Sequence, residues 1–190
     1  LEFAVPPDYE GKRIFLNFHG VYSYARVWVN GQFAREHFGG FTKWSCDITD
    51  MVTCGERAVL TVEIVDRTDD ISYGSGYAKH QIGGILRDVA LVALPGQHFR
   101  ELFFETDLDE NYQNAVLNLL YALNQNTPST IKIELLDTDK RLVASIEEMV
   151  ASPNGSISIT VEDPEKWDAE HPNLYKVVVT LLDNGDAILK

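Results

Sequence analysis

The chain has 190 residues, a length that fits one large domain or two small ones. It has 16 basic and 29 acidic residues, so its formal net charge is −13. This balance argues against binding to nucleic acid or to an anionic membrane, because both require basic residues. Hydrophobic residues make up 45% of the chain, which argues against intrinsic disorder. The sequence contains no apolar run of about 18 residues, so it predicts no membrane-spanning helix. We therefore expect a soluble protein, and the sequence does not decide between a cytoplasmic and a periplasmic compartment.

In chain order the sequence predicts one strand after another, and no long segment keeps a helical period of 3.6 residues. The predicted strands are 12–20, 25–30, 32–37, 41–47, 58–66, 87–94, 99–106, 115–124, 131–137, 141–150, 156–162 and 174–183. Short strands separated by frequent turns are typical of β-sandwiches. The fold class predicted from this pattern is all-β.

Alternation within the first predicted strands assigns their faces. Ile14, Leu16 and Phe18 share one face, and Val27 and Val29 lie opposite Arg26 and Trp28. Asn30-Gly31 predicts a hairpin, because both residues tolerate a positive φ.

A change in composition near Pro95-Gly96 divides the chain in two. Residues 1–97 hold 9 basic and 12 acidic residues, for a net charge of −3, whereas residues 98–190 hold 7 and 17, for a net charge of −10. Aromatic residues number thirteen in the first part and seven in the second. We predict two sandwiches, at 1–97 and 98–190.

Both predicted domains are expected to be incomplete. Only four residues follow the turn signal at 183–186, so the last long strand would lack most of a partner. The first part has fewer predicted strands than an eight-stranded jelly roll. We expect the first domain to be truncated at its N-terminus and the second at its C-terminus.

Residues 67–86 form the longest predicted loop, with four glycines. Loops longer than about 12–15 residues are usually functional or disordered. This one carries side chains suited to sugars: tyrosine rings stack on sugar faces, and Lys, His and Gln hydrogen-bond hydroxyl groups. These residues are Tyr73, Tyr77, Lys79, His80 and Gln81. A solvated loop that orders only against another domain is an equally good interpretation.

Catalytic and metal-binding motifs are not evident. The five histidines lack metal-ligand spacing, Asp69-Asp70 is a weak cation signal, and the other acidic runs predict turns and solvated loops. We expect no metal and no cofactor. Cys46 and Cys54 are too few for a disulfide framework, and either a single bridge or two unpaired thiols fits their spacing.

Short motifs occur in a fixed order along the chain. They are Gly20-Val21, 27–31 (VWVNG), 39–42 (GGFT), 47–50 (DITD), 83–89 (GGILRDV) closing on Pro95, and 167–175 (WDAEHPNLY). Together they resemble the N-terminal sugar-binding and immunoglobulin-like domains of glycoside hydrolase family 2, which includes β-galactosidases, β-glucuronidases and β-mannosidases. Ala169 and Glu170 depart from the family pattern, in which a proline often falls at these positions.

The resemblance implies a jelly-roll, galactose-binding-like β-sandwich followed by an immunoglobulin-like β-sandwich. In the family a (β/α)₈ barrel follows and carries two catalytic glutamates, the acid/base coming after an Asn. This sequence has no Asn-Glu dipeptide, so we expect no catalytic residue in it and no hydrolysis by it alone.

The resemblance also implies a substrate-binding residue. In galactosidase members an aspartate after the strand that precedes the long loop reaches the sugar site, and Asp66 is the nearest match, with Asp69 or Asp70 as alternatives. The predicted substrate-binding residues are Asp66, Tyr73, Tyr77, His80 and Gln81. Phe41 and Trp44 are further candidates for stacking on sugar, with core packing the alternative, and Trp167 is expected to plug an end of the second sandwich.

Two functions from different classes fit these observations. The favoured one is a non-catalytic region of a retaining glycosidase, with a β-linked galactoside, glucuronide or mannoside as substrate and the catalytic barrel of the same chain as partner. The alternative is a free-standing carbohydrate- or protein-binding module pair, since sandwich folds host many functions. Homo-oligomerisation is left open.

Overall fold

A computed structural model of the chain describes residues 1–66, 83–183 and 185–189. As predicted, the fold is all-β, and two 3-10 turns, Pro7–Tyr9 and Thr49–Met51, are the only helical segments in the described residues. The chain divides into two compact units, Leu1–Gly96 (unit 1) and Gln97–Lys190 (unit 2).

The described part of unit 1 contains nine antiparallel strands in three sheets. The strands are β1 (Glu2–Ala4), β2 (Arg13–Phe18), β3 (Val21–Tyr22), β4 (Tyr24–Val29), β5 (Gln32–Phe38), β6 (Trp44–Asp47), β7 (Arg57–Val65), β8 (Gly84–Ile85) and β9 (Val89–Leu94). Their orders are β1-β7-β4-β5, β6-β2-β9 and β3-β8. The first two sheets supply most of the core, to which Val21 of the two-stranded ribbon β3-β8 also belongs.

Alternating residues of these strands build the core of unit 1. Ile14, Leu16 and Phe18 of β2 are buried together with Val27 and Val29 of β4, which confirms the predicted faces. Asn30 and Gly31 have φ of 50° and 80° at the β4–β5 hairpin, as the sequence predicts. Each core strand therefore turns one face inward and leaves the other to the surface.

Unit 2 contains seven antiparallel strands in its described residues. They are β10 (Phe99–Leu108), β11 (Ala115–Leu123), β12 (Ser129–Leu136), β13 (Leu142–Val150), β14 (Asn154–Val161), β15 (Lys176–Asp183) and β16 (Asp186–Leu189). Two sheets form, in the orders β10-β11-β14 and β13-β12-β15-β16. Their facing residues, such as Leu119, Ile131, Ile133 and Ile157, are almost fully buried and close the sandwich.

All twelve predicted strands are present, but β1, β3, β8 and β16 were not predicted. Two to four residues carry too little alternation to identify a strand. The count of strands in the first domain was therefore too low. At the other end, β16 pairs with β15 through Asp183↔Asp186, Leu182↔Ala187 and Leu181↔Leu189.

Both cysteines are free thiols, so the unpaired alternative is correct. Cys46 is buried in β6, and burial raises the pKa of its thiol, although the nearby Arg35 works against that rise. Within the part of the chain that the structure describes, no helix could cross a membrane.

Candidate functional site at one end of unit 1

Strands β3 and β8 bring together segments that lie more than sixty positions apart. Val21 pairs with Ile85 and Tyr22 with Gly84, and the amide of Leu86 donates a hydrogen bond of 2.9 Å to the carbonyl of Gly20. Leu86 is followed by Arg87-Asp88 and then β9. Two of the sequence motifs that suggested the family therefore meet in one ribbon.

The Gly39-Gly40 motif packs against the same ribbon. Gly39 has a φ of +115°, a conformation that favours glycine, and its amide donates a hydrogen bond of 2.9 Å to the carbonyl of Ser23. A Cβ on Gly40 would overlap Cδ2 of the buried Tyr22 ring and lie 3.0 Å from its Cγ. Glycine at position 40 therefore lets the loop approach Tyr22 closely.

Aromatic and apolar side chains remain exposed at this end. Phe41 follows the two glycines, is 62% exposed, and lies with its ring centroid 5.6 Å from that of Tyr22. Ile85 of β8 is also exposed. Phe41 is thus accessible to a ligand, which leaves its predicted stacking on sugar available.

Trp44, the other stacking candidate, belongs to the core. Its indole is only 5% exposed and stacks on Phe18 and on His37, with ring centroids 4.2 Å and 4.7 Å apart. Burial, with a smaller contribution from Arg35, lowers the pKa of His37 and favours the neutral imidazole. Trp44 therefore stabilises unit 1 and has no face open to sugar.

Asp66 directly follows β7 and lies against Gly83. A Cβ on Gly83 would be 3.3 Å from Oδ2 of Asp66, so these two residues, which flank residues 67–82, lie close together. The Oδ1 atom of Asp66 is buried and has no hydrogen-bond partner among the residues that the structure describes. An unpaired buried carboxylate oxygen is costly, so this atom is suited to accept a hydrogen bond from a ligand.

The structure therefore describes one of the five predicted substrate-binding residues. Asp66 lies at the end of unit 1 where β3, β8 and the Gly39-Gly40 loop converge. The other four lie outside the described residues, as do the alternatives Asp69 and Asp70. They are Tyr73, Tyr77, His80 and Gln81.

The acidic turns of unit 2 are of a different kind. Asp109 accepts hydrogen bonds of 2.8–3.1 Å from the amides of Asn111, Gln113 and Asn114 and from Nδ2 of Asn114. The amide bonds from Gln113 and Asn114 are the main reason why the pKa of Asp109 is lowered. The carboxylate is occupied within its own turn, as the sequence predicts for a structural residue.

Asp168 has the same role in the loop that carries the WDAEHPNLY motif. It accepts hydrogen bonds from the amides of Glu170 and His171 and from Nδ1 of His171, and the His171 contacts lower its pKa. Among residues 1–66, 83–183 and 185–189, no group of His, Cys, Asp and Glu could hold a metal ion.

The prediction for Trp167 was wrong. It is 61% exposed, bridges to Pro172, and lines an apolar groove of about 690 Å³ on unit 2 instead of plugging the sandwich. The core of unit 2 is already filled by aliphatic side chains and Tyr121, so it has no place for the indole. Sequence alone does not reveal this, because an isolated Trp in a loop has no periodicity.

Comparison with known proteins identifies both units. Residues 1–95 match the family model for the sugar binding domain of glycosyl hydrolases family 2, and residues 97–190 match a second model of the same family. The chain is 32% identical over 177 residues to a β-galactosidase of Clostridium acetobutylicum, covering 93% of this chain and 20% of that protein. It is 34% identical over 197 residues to a putative β-glucuronidase of Formosa agariphila, covering 98% of this chain and 23% of that protein.

Solved structures show the same fold. A putative β-galactosidase from Bacteroides fragilis superposes with a TM-score of 0.88 at 24% identity, over 98% of this chain and 30% of that one. A β-glucuronidase from Ruminococcus gnavus superposes with a TM-score of 0.83 at 22% identity, over 99% and 32%. The chain thus spans about a fifth to a quarter of the length of the curated relatives named above.

Proposed function

The chain belongs to glycoside hydrolase family 2, and we propose that it is the non-catalytic region of a retaining enzyme acting on a β-linked galactoside, glucuronide or mannoside. In this proposal residues 1–97 form the sugar-binding jelly roll and residues 98–190 the immunoglobulin-like domain. Together they support the catalytic barrel of the same protein, and unit 1 lends residues 66–82 to its sugar pocket. The greater length of the relatives supports this arrangement.

The observation that carries the proposal is the unpaired Oδ1 atom of Asp66. A carboxylate close to Gly83, with one oxygen buried and without a partner among the described residues, is prepared to accept a hydrogen bond from a sugar hydroxyl. Its backbone is fixed because Val65, the residue before it, pairs with Tyr24 in the four-stranded sheet. A rigid strand end is a better platform for positioning than a free loop.

Asp66 would act by orienting the substrate. Two carboxylates of the barrel perform the retaining reaction, and their efficiency depends on how accurately the glycosidic bond is placed between them. We assign Tyr73 and Tyr77 to stacking on the sugar ring, and His80 and Gln81 to further hydrogen bonds with hydroxyl groups. Asp66 is thus a substrate-positioning residue, and bond cleavage belongs to the barrel.

Substitution of Asp66 in the full-length enzyme tests this proposal. Asp66→Asn keeps the size of the side chain and removes its charge, so kcat/KM on the preferred p-nitrophenyl glycoside should fall at least tenfold, as expected for loss of a hydrogen bond to a charged group of about 1.5–3 kcal/mol. The melting temperature should not fall, since no described residue loses a hydrogen bond.

Asp50→Asn is the matched control, because Asp50 is an exposed aspartate of unit 1 on the turn Thr49–Met51. It should leave both kcat/KM and the melting temperature unchanged. Unchanged kinetics in Asp66→Asn would refute the role of Asp66. A fall in the melting temperature that accounts for the lost activity would make Asp66 structural instead.

The purified 190-residue chain provides a second test. It should release no p-nitrophenol from galactoside, glucuronide or mannoside substrates above the blank, because we assign both catalytic carboxylates to the barrel. Turnover by this chain would overturn the proposal that it is non-catalytic. Calorimetric titration with galactose, glucuronate and mannose addresses the alternative of an independent binding module, for which binding at millimolar concentration or tighter is expected.

A further inference from the structure

Strand β5 of unit 1 leaves two large aromatic side chains exposed. Of the eleven aromatic residues of unit 1 that the structure describes, Phe18 and Trp44 belong to the buried core cluster, and Tyr22 and Tyr24 are also buried. Phe33 and Phe38 are 54% and 50% exposed, although β5 pairs with β4. Large exposed aromatic residues grouped on one sheet are typical of a binding surface.

These rings form two pairs on the outer face of the four-stranded sheet. Tyr24 stacks on Phe38 with ring centroids 4.3 Å apart, and Trp28 meets Phe33 edge to face at 5.8 Å. Tyr24 and Trp28 are four residues apart on β4, so the two pairs are roughly 13 Å apart at ~3.3 Å per residue. That span is longer than a single sugar ring and suits several linked sugar units.

Charged side chains fill the space between the two ring pairs. Arg26 lies opposite Glu36 on β5 and Glu63 on β7, and it donates a hydrogen bond of 3.0 Å to Glu63. Its guanidinium carbon lies 5.6 Å from the Tyr24 ring centroid and 5.9 Å from that of Trp28. The hydroxyl of Tyr24 donates a hydrogen bond of 2.8 Å to Glu36.

Two pairs of aromatic rings with partly exposed charged side chains between them match the chemistry of carbohydrate. The rings cover the C–H faces of sugars, and the carboxylates and guanidinium bond the hydroxyl groups. A protein partner fits less well, because interface cores are depleted of Glu, whereas here two glutamates lie at the centre.

We propose that this surface (Tyr24, Arg26, Trp28, Phe33, Glu36, Phe38 and Glu63) is a binding site for an extended polysaccharide, separate from the monosaccharide pocket that contains Asp66. The match of residues 1–95 to a sugar binding domain supports a carbohydrate as the occupant. The surface also ends near the candidate site, because Tyr24 pairs with Val65 and Phe38 precedes Gly39. It would hold a polymer while a chain end reaches the pocket.

Affinity electrophoresis of the full-length protein tests the proposal, with β-1,4-galactan, glucomannan and glucuronoxylan as the three probes. The wild type should be retarded in at least one of these gels. In Phe33→Ala/Phe38→Ala the retardation should be lost, because the two rings that would stack on the sugars are removed. Both rings are half exposed and lie outside the core cluster, so the variant should fold. Phe103→Ala is the matched control, since Phe103 is a 59% exposed phenylalanine of unit 2, and it should be retarded like the wild type.

Kinetics on a p-nitrophenyl monosaccharide separate this surface from the pocket. The double variant should keep the wild-type kcat/KM and melting temperature while losing retardation. The proposal is overturned if the wild type migrates freely in all three gels, as it would if another part of the protein covered the surface. Equal retardation of wild type and double variant, or a parallel loss of monosaccharide turnover, would also overturn it. None of these results bears on the Asp66→Asn test.

Discussion

Three loop aspartates show how the two units differ. In unit 2, Asp109 and Asp168 accept hydrogen bonds from amides of their own turns, so their carboxylates are engaged within those turns. In unit 1, Asp66 also follows a strand, yet its Oδ1 atom is buried and unpartnered among the described residues. Residues of one type thus differ in their partners: Asp109 and Asp168 stabilise their own turns, whereas Asp66 positions a substrate in our proposal.

The distribution of aromatic residues follows the same division. Unit 1 pairs rings on the outer face of its four-stranded sheet and at the Tyr22–Phe41 end, whereas the exposed rings of Phe103 and Trp167 in unit 2 have no ring partner among the described residues. Unit 2 has a net charge of −10 against −3 for unit 1. We therefore expect substitutions in unit 2 to change mainly stability, and substitutions in unit 1 to change both stability and binding.

The largest effect is expected at Gly40. In Gly40→Ala the new methyl group would overlap the buried Tyr22 ring, so the Gly39-Gly40 loop must move away from β3. The free energy of unfolding should fall by about 3 kcal/mol, at the upper end of overpacking effects. Urea unfolding followed by far-UV circular dichroism and tryptophan fluorescence measures it, with Trp44 reporting on unit 1.

Gly96→Ala is the control for Gly40→Ala. A Cβ on Gly96 meets nothing within 4 Å, so its unfolding should match the wild type to within about 1 kcal/mol. If Gly40→Ala were as stable as Gly96→Ala, the close approach to Tyr22 would not hold this end of unit 1 together. The arrangement of the Tyr22–Phe41 end would then not depend on glycine at position 40.

A smaller effect is expected at the corresponding contact in unit 2. A Cβ on Gly155 would lie 2.5 Å from the Tyr121 hydroxyl oxygen and 2.8 Å from Cζ. Gly155→Ala should lower the free energy of unfolding by about 2 kcal/mol, because Tyr121 is buried and cannot swing freely. Kinetics of the full-length enzyme should be unaffected.

A double variant isolates the cause of that loss. Gly155→Ala/Tyr121→Phe lacks the Tyr121 hydroxyl oxygen, which is the atom nearest to the new methyl group. Its loss in free energy of unfolding should therefore be smaller than the sum of the losses in the two single variants. Strict additivity would show that the hydroxyl is not the origin of the strain.

The sequence predicted most of the fold because most strands are long enough to alternate. The burial of Ile14, Leu16 and Phe18 follows from period two alone, and Asn30-Gly31 identifies its hairpin by turn chemistry. By contrast, the two-residue strands of the β3-β8 ribbon have no detectable pattern. They form because tertiary packing brings distant segments together.

The candidate site was predictable only in part. Asp66 was identified from the resemblance to the family, but no local pattern encodes that its Oδ1 atom is buried without a partner among the described residues. Phe41 and Trp44 look equivalent in the sequence, and only packing against Phe18 and His37 makes one of them a core residue. The exposed indole of Trp167 could not be foreseen for the same reason.

A still smaller effect is expected when the turn aspartates are compared directly. Asp109→Asn replaces one accepting oxygen with an amide donor that faces backbone N–H groups, so the melting temperature should fall measurably. Asp66→Asn should leave it unchanged or raise it, because an unpaired buried carboxylate oxygen is lost. If both substitutions lowered it equally, Asp66 would be a structural residue like Asp109.

The smallest effect is the response to acid, and it has a defined sign. The pKa of Asp109 is lower in the folded protein than its usual value of 3.8, so the unfolded chain binds more protons over the pH range between the two. The stabilisation by Asp109 is therefore complete above the unfolded pKa and is lost as the pH falls through the folded pKa. Asp168 has the same sign for the same reason.

Urea unfolding of the wild-type chain should thus become easier below about pH 4, and Asp109→Asn should flatten that part of the profile because its side chain no longer titrates. Asp47 of unit 1 contributes with the same sign: burial alone would raise its pKa, but hydrogen bonds from Thr49 and the Arg13 guanidinium outweigh burial and lower it. The acid response of unit 1 should therefore persist in Asp109→Asn. If the stability of Asp109→Asn fell with decreasing pH as steeply as that of the wild type, the Asp109 turn would contribute nothing to acid sensitivity. The contrast between Asp109 and Asp66 would then depend on the kinetics of Asp66→Asn alone.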